Sequence, residues 1–138
     1  MSLRWDVSQA NLDPELLKDI CGLFEPDASD WAITYGFRTF DEQNALYQKH
    51  LKGGPLAAAP GHSPHEFGLA IDFAEIVNGK LLWDDSRPSW ARIRAVVDAS
   101  PRMHGGWKFP PAAPADPDHI QAVSWNTKKA ELKAEGKW

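Results

Sequence analysis

Leu16, Leu17, Ile20, Cys21 and Leu23 recur at the spacing of one helical face. Asp13-Pro14 ahead of them reads as an N-cap followed by proline at the first helical position, and Pro26 stops the run. Residues 31–39 alternate as a strand, with Ile33, Tyr35 and Phe37 on an apolar face and Thr34, Gly36 and Arg38 on the other. Thr39 with Glu42 makes a capping box that opens a helix through Leu46, Tyr47 and Leu51, ended by Gly53-Gly54. Residues 52–64, rich in Gly, Pro and Ala, have no apolar period and predict a loop. A second strand runs from Gly68 to Ala74, and Val77-Asn78-Gly79-Lys80 turns the chain into Leu81-Leu82-Trp83. Pro88 to Ala99 predicts a helix with Trp90, Ile93, Val96 and Val97 inward, stopped by Pro101. A short strand around Met103 to Lys108, a proline-rich loop from Pro110 to Pro117, a last strand from His119 to Val123 and a charged helical tail from Asn126 complete the chain. Strands that are not evenly separated by crossover helices predict an α+β fold, a small antiparallel sheet flanked by helices.

Length and composition fit this pattern. The 138 residues suit a single domain, 1–138, with a real core, and 43% apolar with 25% charged residues is ordinary for a globular protein. A net charge of −4 without a basic stripe gives no support for nucleic-acid binding. No run approaches a membrane span, and the first residues lack the apolar core of a signal peptide, so cytoplasmic synthesis is expected. The lone Cys21 excludes an intrachain disulfide and reads as a small core residue. Among the seven tryptophans, Trp31, Trp83 and Trp90 are core candidates.

The chemistry concentrates in Ser63-Pro64-His65-Glu66-Phe67-Gly68-Leu69-Ala70-Ile71-Asp72 and Asp116-Pro117-Asp118-His119. Two histidines and a carboxylate (His65, Asp72, His119) match a zinc site with a vacant fourth position, and Asp116 is a spare acid for proton transfer. His62 forms a competing His-x-x-His pair with His65, and Arg38 reads either as a substrate clamp or as an ion-pair partner. Arg38, Asp72 and His119 all fall on polar strand faces beside small residues, which predicts one shared cleft. A fully extended chain would separate His65 from Asp72 by about 23 Å, too far for one ion, so the chain must double back at Gly68.

These residues resemble the zinc D-Ala-D-Ala carboxypeptidases and L-Ala-D-Glu endopeptidases that cleave peptidoglycan stem peptides. The family signature Ser-x-His-x-x-Gly-x-Ala-x-Asp is met at Ser63, His65, Gly68, Ala70 and Asp72, and its second element, an acid three residues before a histidine, at Asp116 and His119. Gly36-Phe37-Arg38-Thr39 with Glu42-Gln43 and Leu46-Tyr47 is similar to the family's arginine-bearing strand and following helix. Gly105-Gly106-Trp107 resembles its Gly-Gly-x-Trp segment with one residue missing. The resemblance implies a hedgehog/D-Ala-D-Ala-peptidase-like fold and one Zn2+ per chain on His65, Asp72 and His119, with Asp116 as general base. It also implies Arg38 on a substrate carboxylate or the scissile carbonyl, and Ser63, Gln43 and Trp107 among the substrate-binding residues. The activity implied is an L-alanyl-D-glutamate endopeptidase of phage lysin type, a monomer acting on the cell wall after release. The alternatives are a D-Ala-D-Ala carboxypeptidase or dipeptidase, a non-catalytic zinc-containing wall-binding module, and a structural protein without metal. Asp118 stands where the family more usually has an aromatic residue, and the 52–62 loop is a candidate lid.

Overall fold

Six strands form one sheet in the computed structural model, which describes residues 2–110 and 115–136. In chain order the elements are β1 (Leu3–Trp5), α1 (Pro14–Phe24), β2 (Asp30–Tyr35), α2 (Phe40–Leu51), β3 (Ala70–Val77), β4 (Lys80–Leu82), α3 (Pro88–Ala99), β5 (Met103–Gly105), β6 (His119–Ala122) and α4 (Trp125–Ala134). Short 3₁₀ turns at Pro64–Phe67 and Gly106–Lys108 precede β3 and follow β5. The strand order is β1-β2-β3-β6-β5, with β4 pairing the C-terminal part of β3.

Local chemistry sets most boundaries. The Asp13 side chain accepts from Leu16 N at 3.1 Å, capping α1 ahead of its Pro14. Thr39 and Glu42 exchange both bonds of a capping box at the start of α2. Asn78 and Gly79 both take positive φ, 53° and 76°, as the two-residue hairpin turn between β3 and β4 requires.

The sheet is mixed, which corrects the all-antiparallel expectation. β1 runs parallel to β2, pairing Leu3 with Trp31 and Trp5 with Ile33. A parallel pair needs a crossover connection, and α1 supplies it. The other pairs are antiparallel, as predicted.

The core lies between one sheet face and the helices α1 and α3. Phe24, Trp31, Phe73 and Trp90 form its aromatic centre, with ring centroids 5.0–5.6 Å apart in tilted and edge-on contacts. Leu16, Ile20, Ile93, Val97 and Ile120 surround them. Five apolar expectations fail, the first being Cys21, which is only partly buried and lies outside the core cluster. Register shifts between Ile33 and Tyr35, and the strand ends there, so Tyr35 and Phe37 leave the core face and are exposed. Val96 and Trp83 are also exposed, so the buried stripe of α3 is Trp90, Ile93 and Val97. No described helix is long and apolar enough to cross a membrane.

Candidate metal centre

Three segments bring His65, Asp72 and His119 together. Asp72 sits on β3, where antiparallel register places Tyr35 on one side of it and His119 on the other. Two of the three candidate ligands are thus a directly opposed cross-strand pair. His65 comes from the 3₁₀ turn before β3, and the fold-back required by the spacing occurs at Gly68. That residue has φ +68°, and a Cβ there would lie 2.1 Å from Asn11 O.

The turn that carries His65 is held from within. The Ser63 hydroxyl accepts from His65 N at 3.3 Å, and the buried Glu66 carboxylate accepts from Gly61 N at 2.9 Å and Ser63 N at 3.2 Å. Ser63 is therefore the N-cap of the ligand turn. Arg38 N donates to His65 O at 3.1 Å, tying this turn to the chain leaving β2.

Both histidines have one ring nitrogen committed to an acceptor away from the centre. His65 Nδ1 lies 2.8 Å from Gly36 O, which can only accept, so Nδ1 carries the proton and Nε2 presents its lone pair. His119 Nε2 lies 2.9 Å from Gln121 Oε1, which leaves Nδ1 facing inward. Those inward nitrogens are 3.5 Å (His65) and 3.2 Å (His119) from the same oxygen, Asp72 Oδ1. The three donor atoms lie within 4.8 Å of one another. In the metal-free site a proton on His119 Nδ1 can bridge to Asp72 Oδ1; a cation at the centre would replace it and be attracted by all three lone pairs. The donor set, two imidazoles and one carboxylate with outer partners fixing the rings, fits zinc.

Charge in the site follows the same geometry. Burial would raise the Asp72 carboxyl, but the His119 and His65 rings outweigh it and hold it well below the ordinary carboxylate range. Burial opposes a charged His119, yet Asp72, Gln121 and Asp116 together raise that imidazole above its usual value. Asp118 is pushed up to about 8 by burial, by a hydrogen bond with Asp116 and by the charges of Asp72 and Asp116. Asp116 is half exposed, with Oδ2 3.9 Å from His119 Nδ1. Gly106 holds it there: Gly106 O accepts from Asp116 N at 3.0 Å, and a Cβ on Gly106 would lie 2.3 Å from Asp116 O.

These residues open onto a cleft of about 760 Å³. Arg38, Gln43, Ser63, His65, Asp72, Asp116 and His119 all line it, so the cleft predicted from strand faces exists. Arg38 reaches it from the loop after β2 rather than from a strand. Gln43 is buried and bridges two groups: its Oε1 accepts from Arg38 Nη1 and its Nε2 donates to Ala58 O, both at 2.8 Å. It aims the guanidinium and anchors the 55–58 wall. Trp107 is not among the lining residues; its indole donates to Asp98 Oδ1 at 3.0 Å, and its ring packs over Gly105. The aromatic lining comes from Phe109 and Trp125 instead. His62 lines the cleft but lies outside the ligand cluster. The loop predicted from Pro110 to Pro117 includes residues 111–114, which lie outside the described residues.

Sequence reasoning missed Gln121, Glu66 and the Gly36 carbonyl. Gln121 shares a strand face with His119, and Ser63-x-x-Glu66 is a capping box, so both carried a signal. A backbone carbonyl carries none.

The family model described as VanY, D-alanyl-D-alanine carboxypeptidase, matches residues 11–127, ending inside α4. The peptidoglycan L-alanyl-D-glutamate endopeptidase CwlK of Bacillus subtilis (strain 168) is 48% identical over 91 residues, covering 57% of this chain and 54% of that protein. The L-alanyl-D-glutamate peptidase of Escherichia phage T5 is 35% identical over 94 residues, covering 68% and 66%. The chain thus spans about half the length of one and just under two thirds of the other. Among solved structures, the Serratia marcescens L-Ala D-Glu endopeptidase ChiX superposes with a TM-score of 0.64 at 15% identity over 87% of this chain and 86% of that one, which establishes a shared α+β fold.

Proposed function

The chain belongs to the VanY family, and from that membership and the site's geometry we propose that it is a zinc-dependent peptidoglycan hydrolase cutting the stem peptide between L-alanine and D-glutamate. One observation carries the reading. His65 and His119 have their outer nitrogens fixed on Gly36 O and Gln121 Oε1, so that both inner nitrogens face Asp72 Oδ1 beside the half-exposed carboxylate of Asp116.

His65 Nε2, His119 Nδ1 and Asp72 Oδ1 would hold the zinc, one ion per chain. Zinc supplies Lewis-acid polarisation of the scissile carbonyl and acidifies water at neutral pH. Asp116 takes the proton of the attacking water and returns it to the leaving amine. Its partial exposure keeps it within reach of both. Arg38, aimed by Gln43, binds a carboxylate of the stem peptide or the carbonyl under attack. Ser63 acts through the His65 turn that it caps.

The matching family model is described as a D-alanyl-D-alanine carboxypeptidase, which favours removal of the terminal D-alanine as a second reading. Mass spectrometry of digested muropeptides separates the two. The endopeptidase releases a fragment with a new D-glutamate amine, whereas the carboxypeptidase shortens the stem by one alanine. Asp116→Asn should lower turnover by about 10²–10⁴-fold while zinc stays stoichiometric. Wild-type protein that binds zinc but cleaves neither bond in purified sacculi would establish a wall-binding module instead.

A further inference from the structure

The helix α4 buries no residue completely and is polar around most of its surface, yet it is pinned to the body of the protein at defined points. Lys128 Nζ pairs with Asp13 Oδ2 at 2.9 Å at the start of α1. Lys129 Nζ donates to Gly61 O at 2.5 Å and lies over two rings, Phe67 and Trp125, 5.6 Å from each centroid. Gly61 is also the residue whose N–H binds Glu66, next to His65. Lys129 thus ties together the turn that carries a metal ligand and the ring at the start of α4. That ring, Trp125, is half buried against the core and lines the cleft.

α4 packs Leu132 and Trp125 partly against the core without burying either, and at its cleft end it presents one large aromatic ring that Lys129 fixes with its charge. We propose that α4 is a wall of the substrate cleft, in which Trp125 contacts the aliphatic, uncharged part of the bound stem peptide and Lys129 is the positioning residue for Trp125. The proposal rests on the stem-peptide reading above. The indole face suits methyl and methylene groups. The peptide's carboxylates have cationic partners elsewhere in the same cleft, Arg38 and Lys49.

The test is steady-state kinetics of the zinc-loaded 138-residue chain on purified muropeptides, with zinc content and thermal midpoint measured for every variant. Trp125→Ala should raise KM about tenfold with kcat changed less than about twofold, as loss of one aromatic contact implies, and Trp125→Phe should recover part of it. Lys129→Met should raise KM several-fold, and Lys129→Arg, which keeps the cation, should restore it. Calorimetric binding of muropeptide in an Asp116→Asn background should rank the variants in the same order. An unchanged KM in Trp125→Ala, with the wild type active, overturns the wall and leaves the stem-peptide reading intact. Parallel loss of kcat, zinc and thermal stability in both alanine and methionine variants overturns it too, because α4 would then be a purely structural brace. Wild-type protein that neither binds nor cleaves muropeptides removes both readings together.

Discussion

Gln121→Leu isolates the contribution of a residue that never touches the proposed metal. The His119 ring is buried, with Nε2 2.9 Å from Gln121 Oε1 and Nδ1 3.2 Å from Asp72 Oδ1. Leucine fills similar space without an acceptor. A buried N–H left without a partner costs about 1–3 kcal/mol. The metal-free protein can avoid that cost by moving the proton to Nδ1, where Asp72 Oδ1 accepts it. Zinc binding must reverse the move, because the proton then occupies the metal-facing nitrogen. The penalty therefore falls on affinity, and about 1–3 kcal/mol corresponds to zinc binding weakened about 5- to 150-fold. Outer partners of metal-bound histidines have effects of about 10–100-fold, in the same range. Competition against a chromophoric chelator at fixed pH measures it directly. Gln121→Glu keeps an acceptor and should bind zinc at least as tightly as wild type. Zinc affinity within twofold of wild type in Gln121→Leu would refute the tautomer argument.

Two further outcomes follow from packing and charge. Gly106→Ala would place a Cβ 2.3 Å from Asp116 O and 3.0 Å from His119 Cβ, so the 116–119 backbone must shift. Misplacing a catalytic group by about 1 Å can lower turnover about 10²-fold, and muropeptide turnover at the wild-type rate would show that this contact does not position Asp116. Glu75 is buried; desolvation would raise its pKa, but Arg87 Nε and Ser89 Oγ, each 2.7 Å from Oε1, lower it below its reference value of 4.5. A carboxyl with a depressed folded pKa contributes stability that is present above the unfolded value and lost as pH falls through the folded one. Urea unfolding from about pH 7 to about pH 3 should therefore show a steeper acid-side loss in wild type than in Glu75→Gln. Parallel curves would contradict the assignment.

Where local chemistry decides structure, the sequence was readable. Prolines marked both ends of α3, the two capping residues opened α2, and Asn78-Gly79 specified the hairpin. Even the αL turn at Gly68 followed from local reach, because one ion cannot be held across an extended chain of that length. What required tertiary knowledge was lost. The three residues of β1 have no pattern long enough to betray a parallel partner. The irregularity between Ile33 and Tyr35 resets which face each later residue takes, so parity arguments fail for Tyr35 and Phe37. Arg38 arrives at the cleft by a loop, and its agreement with strand parity is a coincidence of that irregularity. Trp107 turns away because the chain enters a 3₁₀ turn at Gly106, which carries its indole to Asp98.

The core and the candidate metal centre are specified by the same strand register. On β6, Ile120 and Ala122 are buried in the core while His119 and Gln121 face the site. A slip of one residue against β3 would set Ile120 opposite Asp72, expose both apolar side chains to the cleft, and drive an imidazole and an amide into the core. Burial of the isoleucine alone is worth about 1.5–3 kcal/mol, and an unpaired buried amide adds about 1–3 kcal/mol against the slip. Those terms exceed anything a histidine could gain by rotating toward a displaced partner. The Asp72–His119 pair is therefore placed by apolar burial on the far face of the sheet. Only the orientation of the rings is left to Gly36 and Gln121. Mutations that loosen Ile120 should accordingly disturb the candidate centre as well as mutations of its proposed ligands do, although Ile120 does not line the cleft.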